Sequence, residues 1–362
     1  MKICHIINNV VAGGAQVFLK DLTKYQSKKN KVTIIFIDEI NNDEFSSFFL
    51  QSLGTNSIRY FSLGRRPKEI ISYPKTIFTL YKLIIKNKFD IVNSHLPMSH
   101  LIVGFLSIFI KINKVITVHN APEILSKINI LLNYSTPKIF CSESAYRLNN
   151  YPKCYHTIIN NGISIAQSDD YNFFFRDNLL KEINVDKSAK LIVLVGAIRK
   201  QKNYMFLVNL IEKYYKNSDI NFLVCGGFDN DENFIDLKKF NTIKNLHFLG
   251  IRNDVKEIVK NSDIYLSCSL HEGLPIGGLE AFSIGIPCVL SPIEPHKIFE
   301  NQYDVNIPNK FTIDSFNTSI NKLLVNKRNF KMSRKKRNKL INKFNIKYTE
   351  KNYNKFYKDI IG

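Results

Sequence analysis

Short apolar runs alternate along the chain with longer stretches whose apolar residues recur at helical spacing. In the first part, the segments KICHIINNV, KVTIIFID, SIRYFSL, FDIVNSH, KVITVHN, PKIFCSE and HTIINNG read as strands. Helical patterns fall between them, at residues 21–29, 74–88 and 100–110. Pro74 suits a first helical turn, and Ile77, Leu80, Leu83 and Ile84 share one face of the helix it opens. A second series follows, with LIVLVGA, INFLVCGG, LHFLG, DIYLSCS and PCVLS as strands and residues 205–216 and 255–260 as helices. Strands that are apolar throughout, rather than on alternate positions, are buried on both faces, which is the condition of a parallel sheet covered by helices. The pattern predicts an α/β protein with two Rossmann-like parallel-sheet lobes facing across a cleft, residues 1–165 and 166–344, the polar segment 166–190 marking the boundary. In such sheets ligands bind beyond the carboxyl ends of the strands, so the loops there are where chemistry is expected.

Composition narrows the picture. At 362 residues, 44% hydrophobic and 23% charged, the chain is globular and long enough for two cores. The amino-terminal run is broken by Asn8 and Asn9, and the longest apolar run, residues 101–110, is about half a bilayer span. A cytoplasmic protein is expected. Six cysteines without CxxC or other metal-like spacing read as buried free thiols. The net charge of +20 attracts anions: nucleic acid, anionic lipid or phosphorylated substrates. It is spread over both halves, with 20 basic and 9 acidic residues before position 166 and 31 and 22 after it. No helix-turn-helix, RNP-type or basic-aromatic motif is present, so no nucleic-acid partner is expected. The densest basic segment, residues 322–343, carries apolar positions suited to amphipathic helices and reads as a solvated face. Asp229-Asn230-Asp231 has the D-x-D form of a metal site, yet it follows Gly226-Gly227 as a surface loop would, and no metal is expected there.

The segment SLHEGLPIGGLEAFSIGIPCVLS, residues 269–291, carries the strongest chemical pattern. Glu272 and Glu280 flank a glycine-rich turn that runs into a helix, and a helix opening with free N–H groups suits a diphosphate. Glu280 is expected in the first turn of that helix, where its carboxylate can accept vicinal hydroxyls, with Glu272 facing the same ligand. The plainer alternative makes Glu280 a complement to the helix dipole and Glu272 a surface residue.

This segment resembles the donor-binding segment of the family 4 glycosyltransferases, whose GT-B fold has two Rossmann-like lobes. Ser269, Glu272, Gly273, Pro275, Leu279, Glu280, Ala281, Gly285 and Pro287 fit the family pattern in register. AGGAQ at 12–16, TVHN at 117–120, SES at 142–144, NNGIS at 160–164, FLGIRNDV at 248–255 and NSDIYLSCS at 261–269 also fit in order. The final stretch, residues 345–362, is similar to the helix that returns to the first lobe. The resemblance implies a metal-independent, retaining hexosyltransferase with no cofactor. Its donor would be a nucleotide diphosphate sugar, a UDP-sugar by analogy with relatives. Its acceptor would be a saccharide or a lipid-linked saccharide in polysaccharide biosynthesis.

By the same resemblance, Glu280 holds the ribose hydroxyls, and Glu272 and His119 contact the donor sugar. The loop and helix opening at Gly273, Leu274, Pro275, Ile276, Gly277, Gly278 and Leu279 meets sugar and diphosphate, and Gly13 and Gly14 let the first lobe approach the phosphates. The family's phosphate clamp, G-R-L-x-x-x-K, is altered here: Gly196 and Lys202 match, but Ala197 stands where the arginine belongs. Arg199 is expected to replace it in part, beside Lys202. Lys75, Lys82 and Lys86 lie on one predicted helical face, preceded by Arg65, Arg66 and Lys68, and suit the inner face of the plasma membrane. The acceptor loops are expected at residues 94–100 and 120–125. Three other readings stand beside this one: a sugar-nucleotide epimerase of the same fold, a catalytically silent accessory subunit, and a basic nucleic-acid-binding protein.

Overall fold

The expected strands all pair within one of two parallel sheets, the most apolar runs at the centres and SIRYFSL, HTIINNG and LHFLG at edges. The computed structural model describes the whole chain except residues 12, 67–68, 70–71, 121–122, 124, 150, 152–153, 166–171, 228–241, 301–304, 326–337 and 339–340. Asp229 to Asp231, Lys68 and most of the 322–343 basic segment therefore lie outside the described residues. The chain divides into two compact units, residues 1–162 with 344–362, and residues 163–343.

Unit 1 holds seven strands: β1 (Lys2–Ile7), β2 (Lys31–Asp38), β3 (Arg59–Arg65), β4 (Ile91–His95), β5 (Lys114–Val118), β6 (Lys138–Phe140) and β7 (His156–Ile158). Their order is β3-β2-β1-β4-β5-β6-β7, all parallel. The order reverses beside β1, where Ile3 is in register with both Val32 and Ile91. The connecting helices are α1 (Gly14–Gln26), α2 (Glu44–Thr55), α3 (Ser72–Asn87), α4 (Pro97–Leu106), α5 (Lys127–Leu132) and α6 (Glu143–Leu148). α1 starts seven residues before the predicted helix at 21–29, because Phe18, Leu19 and Leu22 form its buried stripe and carry the helix back to the glycine pair.

Unit 2 holds β8 (Lys190–Val195), β9 (Ile220–Cys225), β10 (Leu246–Gly250), β11 (Ile264–Ser267), β12 (Cys288–Leu290) and β13 (Val305–Asn306). The order is β10-β9-β8-β11-β12-β13, again parallel. Its helices are α7 (Phe173–Glu182), α8 (Tyr204–Tyr214), α9 (Val255–Lys260), α10 (Ile276–Ile284) and α11 (Ile313–Val325). The sheet reverses its order at β8 and β11, so the loops following those strands border the crevice where ligands of doubly wound sheets sit. The last helix, α12 (Ile346–Ile361), belongs to unit 1. Its Ile346, Tyr353, Phe356 and Tyr357 pack with Ile3, Phe18, Leu22 and Ile91 in one buried cluster. Five of the six cysteines are buried, and all six are free.

Candidate functional site

In unit 2, two loops at the carboxyl ends of β8 and β11 are tied together. Leu270 donates its backbone N–H to the Gln201 carbonyl at 2.8 Å, and Gln201 Nε2 donates to the His271 carbonyl at 2.8 Å. This cross-tie brings Lys202, in a 3₁₀ turn of residues Lys200–Lys202, against Glu272: Nζ lies 2.6 Å from Oε1. Ser269 Oγ donates to the same carboxylate oxygen at 2.7 Å. Gly196 closes β8 with φ +148°, and a Cβ there would meet Lys202 Cε at 2.9 Å. The bare backbone thus gives the lysine stem its path over the end of β8. Arg199 is half-buried at the start of the same turn, one residue before Lys200, and Ala197 leaves the clamp position without a guanidinium.

Burial pushes the Glu272 carboxyl up, but the Lys202 charge and the hydrogen bonds from Lys202 and Ser269 outweigh it and hold the group below its ordinary value. Glu272 is therefore an anion that fixes the lysine, while Lys202 keeps its remaining donors for another acceptor. Four residues after Glu272, α10 opens at Ile276 with Pro275 as N-cap, no side-chain cap and no acid in its first turn. Uncapped first-turn N–H groups carry the positive end of the helix dipole. A Cβ on Gly277 would sit 2.5 Å from the Tyr265 hydroxyl, so this helix can rest on β11 only with glycine at that position. Gly273, Leu274 and Pro275 are buried beneath the turn, as are Gly278 and Leu279 in the helix. Glu280 is the fifth residue of α10, not in its first turn as expected, because the helix already starts at Ile276 and takes in Gly277 and Gly278. It lies one turn in, 3.9 Å from Lys256 Nζ.

In unit 1, Gly13 is the N-cap of α1 and Gly14 its first residue, and this helix too lacks a side-chain cap. His119 follows β5. It is 7% exposed, with Nε2 at 2.8 Å from His95 Nδ1 and Nδ1 at 3.4 Å from Asn161 Nδ2. Burial lowers its pKa to about 4, against the opposing pull of Glu123. The imidazole is neutral at physiological pH. Leu96, between His95 and α4, adopts φ +73° and ψ 154°, a region nearly reserved for glycine, and Asn8 Oδ1 holds the following turn by accepting the Ser99 N–H at 3.1 Å.

The structure thus groups Gly196, Arg199, Lys202, Glu272 and the 273–280 turn at the carboxyl edge of the unit 2 sheet, and Gly13, Gly14 and His119 at the carboxyl edge of the unit 1 sheet. Sequence reasoning missed Ser269 as a Glu272 partner, and His296. The latter is fully buried, with Nδ1 at 2.7 Å from the Ser291 carbonyl, and burial holds its pKa below the ordinary histidine value beside Glu272. It also missed His5 and His95, whose partners stand 21 to 90 positions away in sequence. Among the described residues no group of three or more His, Cys, Asp or Glu side chains is placed to hold a metal ion.

Each unit thus offers an uncapped helix opening after a strand at the reversal of a parallel sheet, the place where doubly wound sheets bind ligands, and two such Rossmann-like units are the GT-B arrangement of glycosyltransferases. Anabaena Alr3699/HepE in complex with UDP and glucose matches over 99% of this chain and 100% of that one, at TM-score 0.78 and 14% identity. At the level of sequence, residues 12–164 match the model of Glycosyltransferase Family 4, and residues 175–344 that of Glycosyl transferases group 1. Together these matches span most of the chain, and the protein belongs to the family 4 glycosyltransferases. It is 26% identical to UDP-Gal:alpha-D-GlcNAc-diphosphoundecaprenol alpha-1,3-galactosyltransferase of Escherichia coli, over 94% of this chain and 92% of that protein. To the Capsular polysaccharide biosynthesis glycosyltransferase CapH of Staphylococcus aureus it is 25% identical over 78% of each.

Proposed function

We propose that this glycosyltransferase moves a hexose from a UDP-sugar to a lipid-linked saccharide, with retention at the anomeric carbon and without a metal or other cofactor. One observation carries the reading: the Lys202 ammonium, braced by buried Glu272, stands at the loop that leads into the uncapped opening of α10. When the bond to the sugar breaks, charge develops on the departing diphosphate. A fixed ammonium and a helix amino terminus stabilise it without reorganising. On this reading Lys202, supported by Arg199, takes the phosphates, and the N–H groups of Gly277 and Gly278 share them, those of Ile276 and Leu279 being bonded to the Leu274 and Pro275 carbonyls at 2.9 Å. Glu280 accepts the ribose hydroxyls. Glu272 contacts the sugar, and a sugar hydroxyl is also what the neutral His119 can bond. The UDP donor and the diphospholipid acceptor follow the name of the Escherichia coli relative.

Calorimetric titration with UDP and UDP-sugars, then transfer onto undecaprenyl-diphosphate-linked N-acetylglucosamine with and without EDTA, tests the proposal. The expected result is binding of UDP and transfer undiminished by EDTA; failure to bind any nucleotide diphosphate overturns it. Lys202→Ala should weaken UDP binding more than Arg199→Ala, and equal loss in both would assign the clamp to both side chains.

The acceptor reading brings a membrane surface with it. On α3, exposed Lys75, Lys82 and Lys86 share their side of the helix with Phe78 and Ile85, 57% and 49% exposed. Lys82 Nζ lies 4.2 Å above the Phe78 ring. In the same unit, Ile108 and Phe109 after α4 and Leu131 of α5 are more than 60% exposed, near Lys111 and Lys127. Apolar side chains mixed with lysines suit an anionic bilayer surface, and no helix among the described residues is long and apolar enough to cross it. Co-sedimentation with phosphatidylglycerol vesicles should fall when Phe78 and Phe109 become Ser; equal recovery with neutral vesicles would refute anionic docking.

A further inference from the structure

Six side chains of unit 1 form an unbroken hydrogen-bonded file from the end of β5 to the face of α12. His119 Nε2 meets His95 Nδ1 at 2.8 Å, and His95 Nε2 meets His5 Nδ1 at 2.9 Å. His5 Nε2 meets Gln26 Oε1 at 2.8 Å. Gln26 Nε2 then donates to Asn354 Oδ1 at 3.4 Å, and Asn354 Nδ2 to Glu350 Oε1 at 2.5 Å. The three imidazoles are stacked or tilted neighbours, with ring centres 5.2 Å apart at each step. His5, His95 and Gln26 are fully buried, so water has no access to scramble the pattern.

Elementary valence fixes the direction of this file. A carboxylate only accepts, so Glu350 turns the Asn354 amide NH₂ toward itself and the Asn354 carbonyl toward Gln26. Gln26 must answer with its NH₂, which leaves its carbonyl facing His5. Beside the file, the Tyr357 hydroxyl accepts from Asn93 Nδ2 at 2.7 Å. A carbonyl needs a donor, so His5 carries its proton on Nε2 and offers Nδ1 as acceptor. His95 repeats the choice, and His119 repeats it again. Neutral imidazoles are required throughout. Burial supplies them, lowering the pKa of His5 and of His119 to about 4 and that of His95 well below the ordinary value. An amide at position 26 does not take up a proton, so the file transmits orientation and not protons.

We propose that Glu350, on the terminal helix, locks His119 as the Nε2–H tautomer and so leaves its Nδ1 as a standing hydrogen-bond acceptor for a ligand hydroxyl. In the structure Nδ1 has a long contact, 3.4 Å, to Asn161 Nδ2. A sugar hydroxyl is a better donor at ordinary distance. The ligand half of the inference rests on the transferase reading above; the tautomer half does not. Glu350 and Gln26 are positioning residues, acting through His95 and His5.

The test is ¹⁵N-histidine NMR of the full chain near pH 7.5 without substrate, with His119 assigned by loss of its signals in His119→Asn. The wild type should show Nε2–H for His5, His95 and His119, in about tenfold or greater excess, the ratio that one ordinary hydrogen bond maintains. Glu350→Gln, an isosteric change at a half-buried position, should let the side amide present either end, and Gln26→Leu removes the acceptor altogether. In both, Nδ1–H signals should grow in for all three histidines together, toward equal populations. Co-variation of three rings is the readout that a merely structural role would not move. A wild-type His119 protonated on Nδ1, or Nε2–H populations unchanged in both folded variants, overturns the lock. Because the tautomer is read without a sugar nucleotide, the lock can fail while the transferase reading stands, and the reverse.

Discussion

Replacing Lys202 by Ala removes one half of a pair whose other half is buried. The Glu272 side chain is 11% exposed and Lys202 24%, with 2.6 Å between Nζ and Oε1. Breaking a fully buried pair costs about 3–5 kcal/mol, but the lysine's partial exposure and the surviving Ser269 hydrogen bond place the expected loss at about 2–3 kcal/mol for unit 2. The sign with pH is the sharper part. In the wild type the carboxyl is held below its ordinary value, so the pair's stabilisation is present above the unfolded carboxylate pKa and is lost as pH falls through the folded one. Without Lys202, burial is the largest remaining influence and raises the group. Lys202→Ala should then lose most relative to wild type near neutrality and less toward pH 4, as pH falls through the raised carboxyl of the variant while that of the wild type titrates lower. Urea unfolding of the wild type, Lys202→Ala, Glu272→Gln and the double variant at the two pH values measures this. The expected coupling between the two sites is about 1–3 kcal/mol at neutral pH. Additive single losses, or an Ala variant equally destabilised at both pH values, would refute the reasoning. UDP affinity should fall with Lys202→Ala by about ten- to a hundredfold, the worth of a charge-assisted phosphate contact.

Other expectations follow from single features. His5 and His119 are neutral in the folded chain with pKa lowered to about 4 by burial. The unfolded chain takes up their protons first, so unit 1 should lose stability as pH drops from about 6.5 toward 4, by about 2 kcal/mol per histidine at pH 5; equal thermal midpoints at pH 7 and pH 5 would contradict this. Gly277→Ala should destabilise unit 2 by about 1–3 kcal/mol, since the new Cβ meets the Tyr265 hydroxyl at 2.5 Å. Adding Tyr265→Phe should restore part of that loss in a thermal melt, and no recovery would mean that another contact is responsible. Gly196→Ala should weaken UDP binding along with stability, because φ +148° and the path of the Lys202 stem both depend on the missing Cβ.

Most strands were legible because they are near-continuous apolar runs, and burial on both faces writes such runs directly into the sequence; β3 and β7, exposed at most positions, are the exceptions. β13 escaped notice because two residues, Val305 and Asn306, make no run at all. Helix starts were harder. The first turn of α1, Gly14 to Val17, has none of the polar caps that announce a helix, since an uncapped opening is what an anion site requires. Glu280 sits one turn deeper than expected because Pro275, and not the later Gly277-Gly278 pair, sets the start of α10. Lys202 and Glu272 could be named from the motif, but their pairing across 70 positions depends on the cross-tie through Gln201, which no local pattern reveals. The histidine file lay further from view, since its members come from β1, α1, β4, the end of β5 and α12, and a buried histidine in a strand reads simply as core.

Unit 1 is assembled from both ends of the sequence, and this orders events during synthesis. Residues 163–343 form a contiguous body that can fold as it leaves the ribosome, whereas residues 1–162 emerge first and lack the helix that covers Ile3, Phe18, Leu22 and Ile91. At about 5–20 residues per second, the 181 positions between Ile163 and Lys343 keep that apolar surface waiting for roughly 10–40 s. The earliest-made portion of the nascent chain is thus the last to be finished, and it is the portion on which chaperones should be found.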